Sequence, residues 1–257
     1  MNASTNRFAA LVLTCAPLLA CAAAPKHTPL ATLQQLFAVE GDSPYTSPYN
    51  GTVIFSALTS KYASPNGHGY RNELKVASTK RLTAAQTHEH FSGNVTPTLP
   101  DGAKTIVAQY HVDGLDTILK VYVQDTRDGT GTDGVDSNGV FDILARIRGP
   151  GGKEVSQALG TVRSGETFGL DIRFDAGDAV VTVNTADGAQ YTAQTTVPAD
   201  ERKIYFKFGD YLQALDPVTG GHTSDPAKWD EYYRLHGIDS SRIRITQTTF
   251  ERTGTQP

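Results

Sequence analysis

Apolar and polar positions alternate through most of this chain. Leu170, Ile172 and Phe174, then Val181 and Val183, are each separated by a polar or small residue. That period of two marks antiparallel strands with one buried face. The same reading covers residues 52–55, 118–123, 141–148, 169–174, 179–184, 190–196 and 241–250, the last alternating Ile243 and Ile245 with Arg242, Arg244 and Thr246. Turn formers separate the runs, as at Asp113-Gly114 and Gly149-Pro150-Gly151-Gly152. Some dozen short strands with little helix predict an all-β domain of two stacked antiparallel sheets. Two helical signals interrupt the pattern. Leu33, Leu36 and Phe37 fall at i, i+3 and i+4. Asp225 as N-cap, Pro226 and the later Gly237 delimit another helix, whose Trp229, Tyr232, Tyr233 and His236 make an aromatic face. That face either walls a groove or packs on the sandwich edge, and packing is the preferred reading.

Residues 204–213 depart from the simple pattern, because both faces are informative. Ile204, Phe206, Phe208 and Leu212 share the apolar face with Asp210, while Tyr205, Lys207, Tyr211 and Gln213 share the other. Two further strands carry chemistry on one face: Arg71, Glu73 and Lys75 in the first, Gln109 and His111 in the second. Joined in one sheet, these residues would form the bottom of a binding groove. The blander alternative is a mixed polar surface, as in non-catalytic polysaccharide-binding sandwiches. His68, in the turn before Arg71, either touches a ligand at the groove mouth or is a solvated turn residue.

The three strands carry a resemblance. RNELK at 71–75, QYH at 109–111 and YFKFGDYLQ at 205–213 resemble, in order and separation, the strand motifs R-x-E-L-R, Q-[IV]-H and Y-F-K-A-G-x-Y-x-Q of the family 7 polysaccharide lyases, the alginate lyases. The resemblance covers roughly residues 68–250. It selects a β-jelly roll with a concave substrate groove and implies cleavage of an acidic polyuronate by β-elimination. Alginate ranks first, with glucuronan, the substrate of a related jelly-roll lyase family, second. It further implies that Arg71, Gln109, His111 and Tyr211 are catalytic, flanked by Glu73, Lys75, Tyr205, Lys207, Gln213 and His68 as substrate-binding residues. The chain differs from the motifs at Lys75, Tyr110, Phe208 and Asp210, and the family's Trp-containing N-terminal strand is not evident. Tyr110 points away from Gln109 and His111 on a strand, so it is expected to pack behind the site.

The residue types suit that reaction. Eliminating across a uronate requires removing the proton beside its carboxylate, stabilising the enolate-like dianion and protonating the leaving oxygen. Arg71 offers a planar fork to the carboxylate, Gln109 and His111 offer donors, and Tyr211 can move a proton as acid, base or both. Lys207 adds positive charge, and Glu73 is suited to fixing Arg71 or Lys75 by a salt bridge. A glycoside hydrolase would need two carboxylates astride the bond, and on this face the sequence offers Glu73 alone.

Composition refines the picture. Lys and Arg number 23 against 27 Asp and Glu, a formal charge of −4, which argues against a nucleic-acid partner but leaves room for a local basic track that holds a polyanion. Residues 1–24 read as a secretion signal: Arg7, an apolar run from Phe8 to Ala20 too short to span a bilayer, then small residues. Leu18-Leu19-Ala20-Cys21 equally resembles a lipoprotein box, with Cys21 as lipid anchor of an outer-membrane lipoprotein. Either reading makes the protein secreted or periplasmic, with residues 25–257 as one domain and the monomer as the expected state. Both cysteines, Cys15 and Cys21, lie in the leader, so the mature domain has no disulfide. His88 and His90 could share a face as a metal pair, although a surface strand explains them better. Residues 125–138, rich in Asp, Gly and Thr, could hold calcium, but turn chemistry explains the same composition. The reaction requires no cofactor.

Overall fold

The computed structural model describes residues 27–125 and 138–253. The leader with Cys21 and most of the candidate calcium loop, residues 126–137, lie outside the described residues. The strands, in chain order, are β1 (Phe37–Glu40), β2 (Val53–Phe55), β3 (Arg71–Val76), β4 (Leu82–Thr83), β5 (His88–Thr98), β6 (Lys104–Val112) and β7 (Asp116–Gln124). They continue with β8 (Val140–Arg148), β9 (Glu154–Arg163), β10 (Phe168–Asp175), β11 (Asp178–Asn184), β12 (Gln190–Thr196), β13 (Lys203–Leu212) and β14 (Arg242–Thr253). The helices are α1 (Leu30–Leu36), α2 (Ala57–Ser60) and α3 (Pro226–Leu235).

One sheet runs β1-β3-β13-β6-β7-β8-β9, with β4 also paired to β13; the other runs β12-β11-β10-β5-β14-β2. Every pairing is antiparallel. This is the jelly roll that the alternation and the motifs predict together. The core is aromatic where the sheets face one another. Phe206 and Phe208 of β13 meet Phe91 of β5 at ring-centroid distances of 5.2 and 4.8 Å, and Phe208 meets Phe37 and Phe55 edge-on. Such offset and edge-to-face contacts are the favoured aromatic geometries.

Two elements differ from the sequence expectation, and a third settles between two readings. Phe37 opens β1 instead of closing α1, because its side chain is drawn into the core against Phe208 and Phe250. Strand β9 was not foreseen: its first four residues are exposed on both faces at a sheet edge, so no alternation marks them. Helix α3 packs on the sandwich, the preferred of its two sequence readings, and does not wall the groove. Trp229 and Tyr233 are buried, and the Tyr233 hydroxyl donates to the Leu212 carbonyl at 2.9 Å. Its predicted cap is present, the Asp225 carboxylate accepting from the Ala227 N–H.

Strand β13 is bulged against β6 between Phe208 and Tyr211. Gly209 makes the bulge feasible: its φ is +152°, and a Cβ there would lie 2.3 Å from the Asn72 carbonyl oxygen. Asp210 fills the buried side of the bulge, accepting from the Ala57 N–H and the Thr105 hydroxyl at 2.8 and 2.7 Å. Burial pushes its carboxyl above the ordinary value despite those donors. Against β3 the register runs unbroken through Gly209, so Tyr211 pairs with Arg71 on the concave face.

Candidate active site

Strand β13 lies between β3 and β6, and the register decides which side chains meet. Tyr211 pairs with Arg71, Lys207 with both Lys75 and Gln109, and Tyr205 with His111. A groove of about 540 Å³ opens over them, lined by Arg71, Lys75, Gln109, His111, Tyr205, Lys207, Tyr211, Gln213 and His68. Nine of the ten sequence-predicted residues therefore meet in one groove. The tenth, Glu73, does not touch it. It is fully buried under the others, so it holds them in place and is corrected here from a substrate-contacting residue to a supporting one.

Glu73 organises the catalytic-face side chains. One of its oxygens accepts from the Gln109 amide at 2.6 Å; the other lies 3.4 Å from the Arg71 guanidinium and 3.3 Å from Lys207 Nζ. Glu40, at the end of β1, has the matching role. It accepts from Lys207 at 2.6 Å and Lys75 at 2.9 Å, and lies 3.6 Å from Arg71. Burial alone would raise the Glu40 carboxyl, but Lys207 and Lys75 hold it down to about 2. Three cations thus share two carboxylates. That leaves one positive charge for an anionic ligand, in a place where water is largely excluded and the charge is strongly felt. Glu40 was missed in the sequence because it closes a four-residue edge strand. The available clue was a face with three cations and a single visible counter-ion.

The polar atoms on the groove side are ordered donor to acceptor. Gln109 gives its amide N–H to Glu73, so its carbonyl oxygen accepts from His111 Nε2 at 3.0 Å. The Thr117 hydroxyl stands 3.2 Å from His111 Nδ1. This assigns the Nε2–H tautomer to a neutral imidazole. Burial first, then Lys207 and Arg71, lowers the His111 pKa to about 3, which keeps the ring uncharged. Tyr205 stacks on it with centroids 4.8 Å apart and planes 4° from parallel.

Tyr211 sits at the centre. The Arg71 guanidinium lies 3.8 Å from the centroid of its ring. Its oxygen accepts the His68 backbone N–H at 2.7 Å, so a donor is aimed at the phenol oxygen. The turn delivering that N–H depends on Gly69, φ +145°, where a Cβ would collide with the Leu212 carbonyl oxygen at 1.9 Å. The His68 ring meets His222 at 4.6 Å over the same end of the groove. His222, Lys120, Tyr122, Arg146 and Glu154 also line the groove. These five come from loops and from strands β7 to β9, where charged residues recur with no fixed motif.

The candidate histidine pair lies away from the groove. His88 pairs with Asp175 and His90 with Asp171 on the outer face of the second sheet. Among the described residues no cluster of three His, Cys, Asp or Glu could hold a metal. Tyr110 is buried behind the site as expected, donating to Glu89 at 2.8 Å.

The comparisons with known proteins agree with this geometry. The family model described as alginate lyase matches residues 22–250. Among solved structures, the alginate lyase from Alteromonas sp. 272 is 35% identical with a TM-score of 0.78, over 90% of this chain and 100% of that one. The family 18 polysaccharide lyase aly-SJ02 is 34% identical with a TM-score of 0.74, over 87% of this chain and 97% of that one. An alginate lyase from Pseudomonas aeruginosa, 15% identical over 86% of this chain and 98% of that one, shares the fold at a TM-score of 0.56. No curated protein sequence matches this chain. The match to the family model, in accord with the three strand motifs, means that this chain belongs to the alginate lyase family and is a polysaccharide lyase.

Proposed function

We propose that this lyase cleaves alginate by β-elimination in the concave groove, with Tyr211 transferring protons and Arg71, Gln109 and His111 neutralising the uronate carboxylate. The observation that carries the reading is the unbalanced charge beside a phenol: three cations over two carboxylates, with Arg71 against the Tyr211 ring.

The carboxylate of the reacting sugar takes the surplus positive charge. Arg71 is held against Glu73 and Glu40 so that its fork need not reorganise when substrate arrives. His111 keeps a proton on Nε2, and that donor can pass from the Gln109 carbonyl oxygen to the sugar carboxylate. Neutralising the carboxylate acidifies the adjacent C5 proton. The Tyr211 oxygen, acting as a phenolate, takes that proton. As the phenol so formed, it gives the proton to the departing 4-oxygen as the C4–O bond breaks and the C4–C5 double bond forms. Lys207 lends electrostatic support from the neighbouring pair. The reading uses side chains only and requires no cofactor. It also speaks against hydrolysis. The groove does expose two carboxylates the motifs did not suggest, Glu40 and Glu154. Lysines hold both of them below the usual carboxylate range, whereas a general acid needs a raised one.

The test is ultraviolet absorbance of the conjugated double bond formed by elimination, read on polymannuronate, polyguluronate, glucuronan and hyaluronan. Signal from either alginate block is expected. Signal from glucuronan alone would overturn the substrate while leaving the mechanism, and silence on all four with retained alginate binding would favour a non-catalytic binding protein. The leader supports export of the enzyme. If the exported protein sediments with membranes and Cys21→Ser releases it, the lipoprotein reading of residues 1–24 is the right one.

A further inference from the structure

A row of side chains crosses the concave sheet at one level. Lys75 pairs with Lys207, Lys207 with Gln109, Gln109 with Lys120, and Lys120 with Arg146. Neighbouring strands lie about 4.8 Å apart, so a chain laid across them meets a new row position at each step, and four of these five positions are cationic. The two lysines at the β3–β13 end are balanced from beneath by Glu40 and Glu73. No such support lies under Lys120 and Arg146 among the described residues. Among the described residues, the carboxylate that reaches them is Glu154, 2.7 Å from Lys120 Nζ and 3.5 Å from the Arg146 guanidinium.

The surroundings resemble a half-built anion site. The Arg146 guanidinium lies 4.8 Å from the Tyr122 ring centroid, with Lys104 Nζ 4.9 Å from the same ring. Tyr122 belongs to a small apolar cluster with Ile106, Leu144 and Tyr211, which joins this position to the reacting one. Arg146 Nε is buried and, among the described residues, has no hydrogen-bond partner. Glu154 itself begins edge strand β9, its side chain is 42% exposed, and the three residues after it are exposed too. It can swing outward without disturbing the core, and ion pairs so open to water are weak.

We propose that Lys120 and Arg146 form a second uronate-carboxylate subsite beside the reacting position, and that Glu154 fills it in the free enzyme as an internal competitor displaced by substrate. A glutamate carboxylate and a uronate carboxylate present the same pair of oxygens, and two cations exceed the one anion that now neutralises them. The proposal rests on the alginate reading above, and it assigns Glu154 a role opposite to that of Glu40 and Glu73. Those two hold cations for the ligand, whereas Glu154 holds them against it.

The experiment compares wild type, Glu154→Gln and Lys120→Ala, each checked for an unchanged circular-dichroism melt. It measures KM and kcat on polymannuronate and polyguluronate, and the Kd of an alginate trisaccharide by calorimetry. Glu154→Gln should lower KM and Kd by about threefold, since a weak competing ion pair is removed. Lys120→Ala should raise them roughly five- to tenfold with kcat much less affected, the signature of binding lost equally from ground and transition states. If Glu154→Gln instead raises KM and Kd, the glutamate merely orders the two cations and the competitor is refuted. If neither variant moves either constant, the row is no subsite. Wild type yielding no unsaturated product would refute the lyase reading separately, and the calorimetric Kd values would still decide the subsite.

Discussion

Two buried charge networks lie on opposite sides of strand β6, and they behave differently. On the groove side, Glu40 and Glu73 are shared among Arg71, Lys75 and Lys207. On the core side, Glu89 accepts from Arg252 Nε at 2.9 Å and from the Tyr110 hydroxyl at 2.8 Å, one cation for one anion. The contrast shows in the carboxyls. Lys207 and Lys75 hold Glu40 down to about 2, although burial opposes them. Burial raises Glu89 even though Arg252 and Tyr110 oppose it. Buried charge therefore does not by itself mark a site. The groove network is left one anion short and open to a ligand, whereas the core network is closed and ties β6 to the second sheet.

Breaking the groove side at its centre should have the largest effect. Tyr211→Phe removes one hydroxyl and should cut kcat by at least a hundredfold with an unchanged melting temperature. Retention of more than a tenth of wild-type turnover would remove Tyr211 from proton transfer. Arg71→Lys should be similarly impaired, because a point charge cannot replace the fork. On the core side the loss should be in stability instead. Glu89→Gln leaves Arg252 without its buried counter-ion, a cost of about 3 kcal/mol and roughly 6 to 12 °C in a thermal melt, with KM little changed.

Glu40→Gln tests whether a groove carboxylate positions rather than binds. It should lower kcat/KM about tenfold through displacement of Lys207 and Arg71, with a smaller shift in the melt than Glu89→Gln. An equal or greater loss of stability would erase the distinction between the networks.

Acid sharpens the comparison further. The folded chain keeps His111 neutral down to about pH 3, whereas an ordinary histidine takes a proton near 6.5. Between those values the unfolded state binds the extra proton, so stability is complete above 6.5 and falls as the pH drops. His222, lowered by burial, adds in the same direction. Denaturant midpoints measured from pH 7 to 5 should therefore fall in wild type and fall less in His111→Asn. The smallest effect is expected outside both networks. His90→Ala removes a half-exposed pair with Asp171 on the outer face and should change stability by no more than about 1 kcal/mol and turnover not at all.

Legibility in the sequence followed how local each feature is. Lys207 and Tyr211 could be assigned to one face of their strand because side-chain alternation is a property of a few consecutive residues. Tyr110 could be assigned to the hidden face for the same reason. Glu73 was found and its contact misjudged: alternation puts it on the groove side of β3, but Gln109 and Lys207 from neighbouring strands cover it. Strand β9 escaped because its solvated edge needs no alternation at all.

The sequence alone determined the all-β class, the polar face of residues 205–213 and the three motifs that joined the chain to its family. Only the tertiary structure decided how these pieces balance one another. Glu40 reaches Lys207 across 167 positions of sequence. Its pairing depends on β1 docking at the sheet edge beside β3, a register that no local pattern encodes. The pairing of Tyr211 with Arg71 likewise needs the close approach of the Gly209 backbone to the Asn72 carbonyl oxygen on another strand. Alternation is written residue by residue, whereas charge balance is a sum over side chains that only the folded sheet brings within a few ångströms.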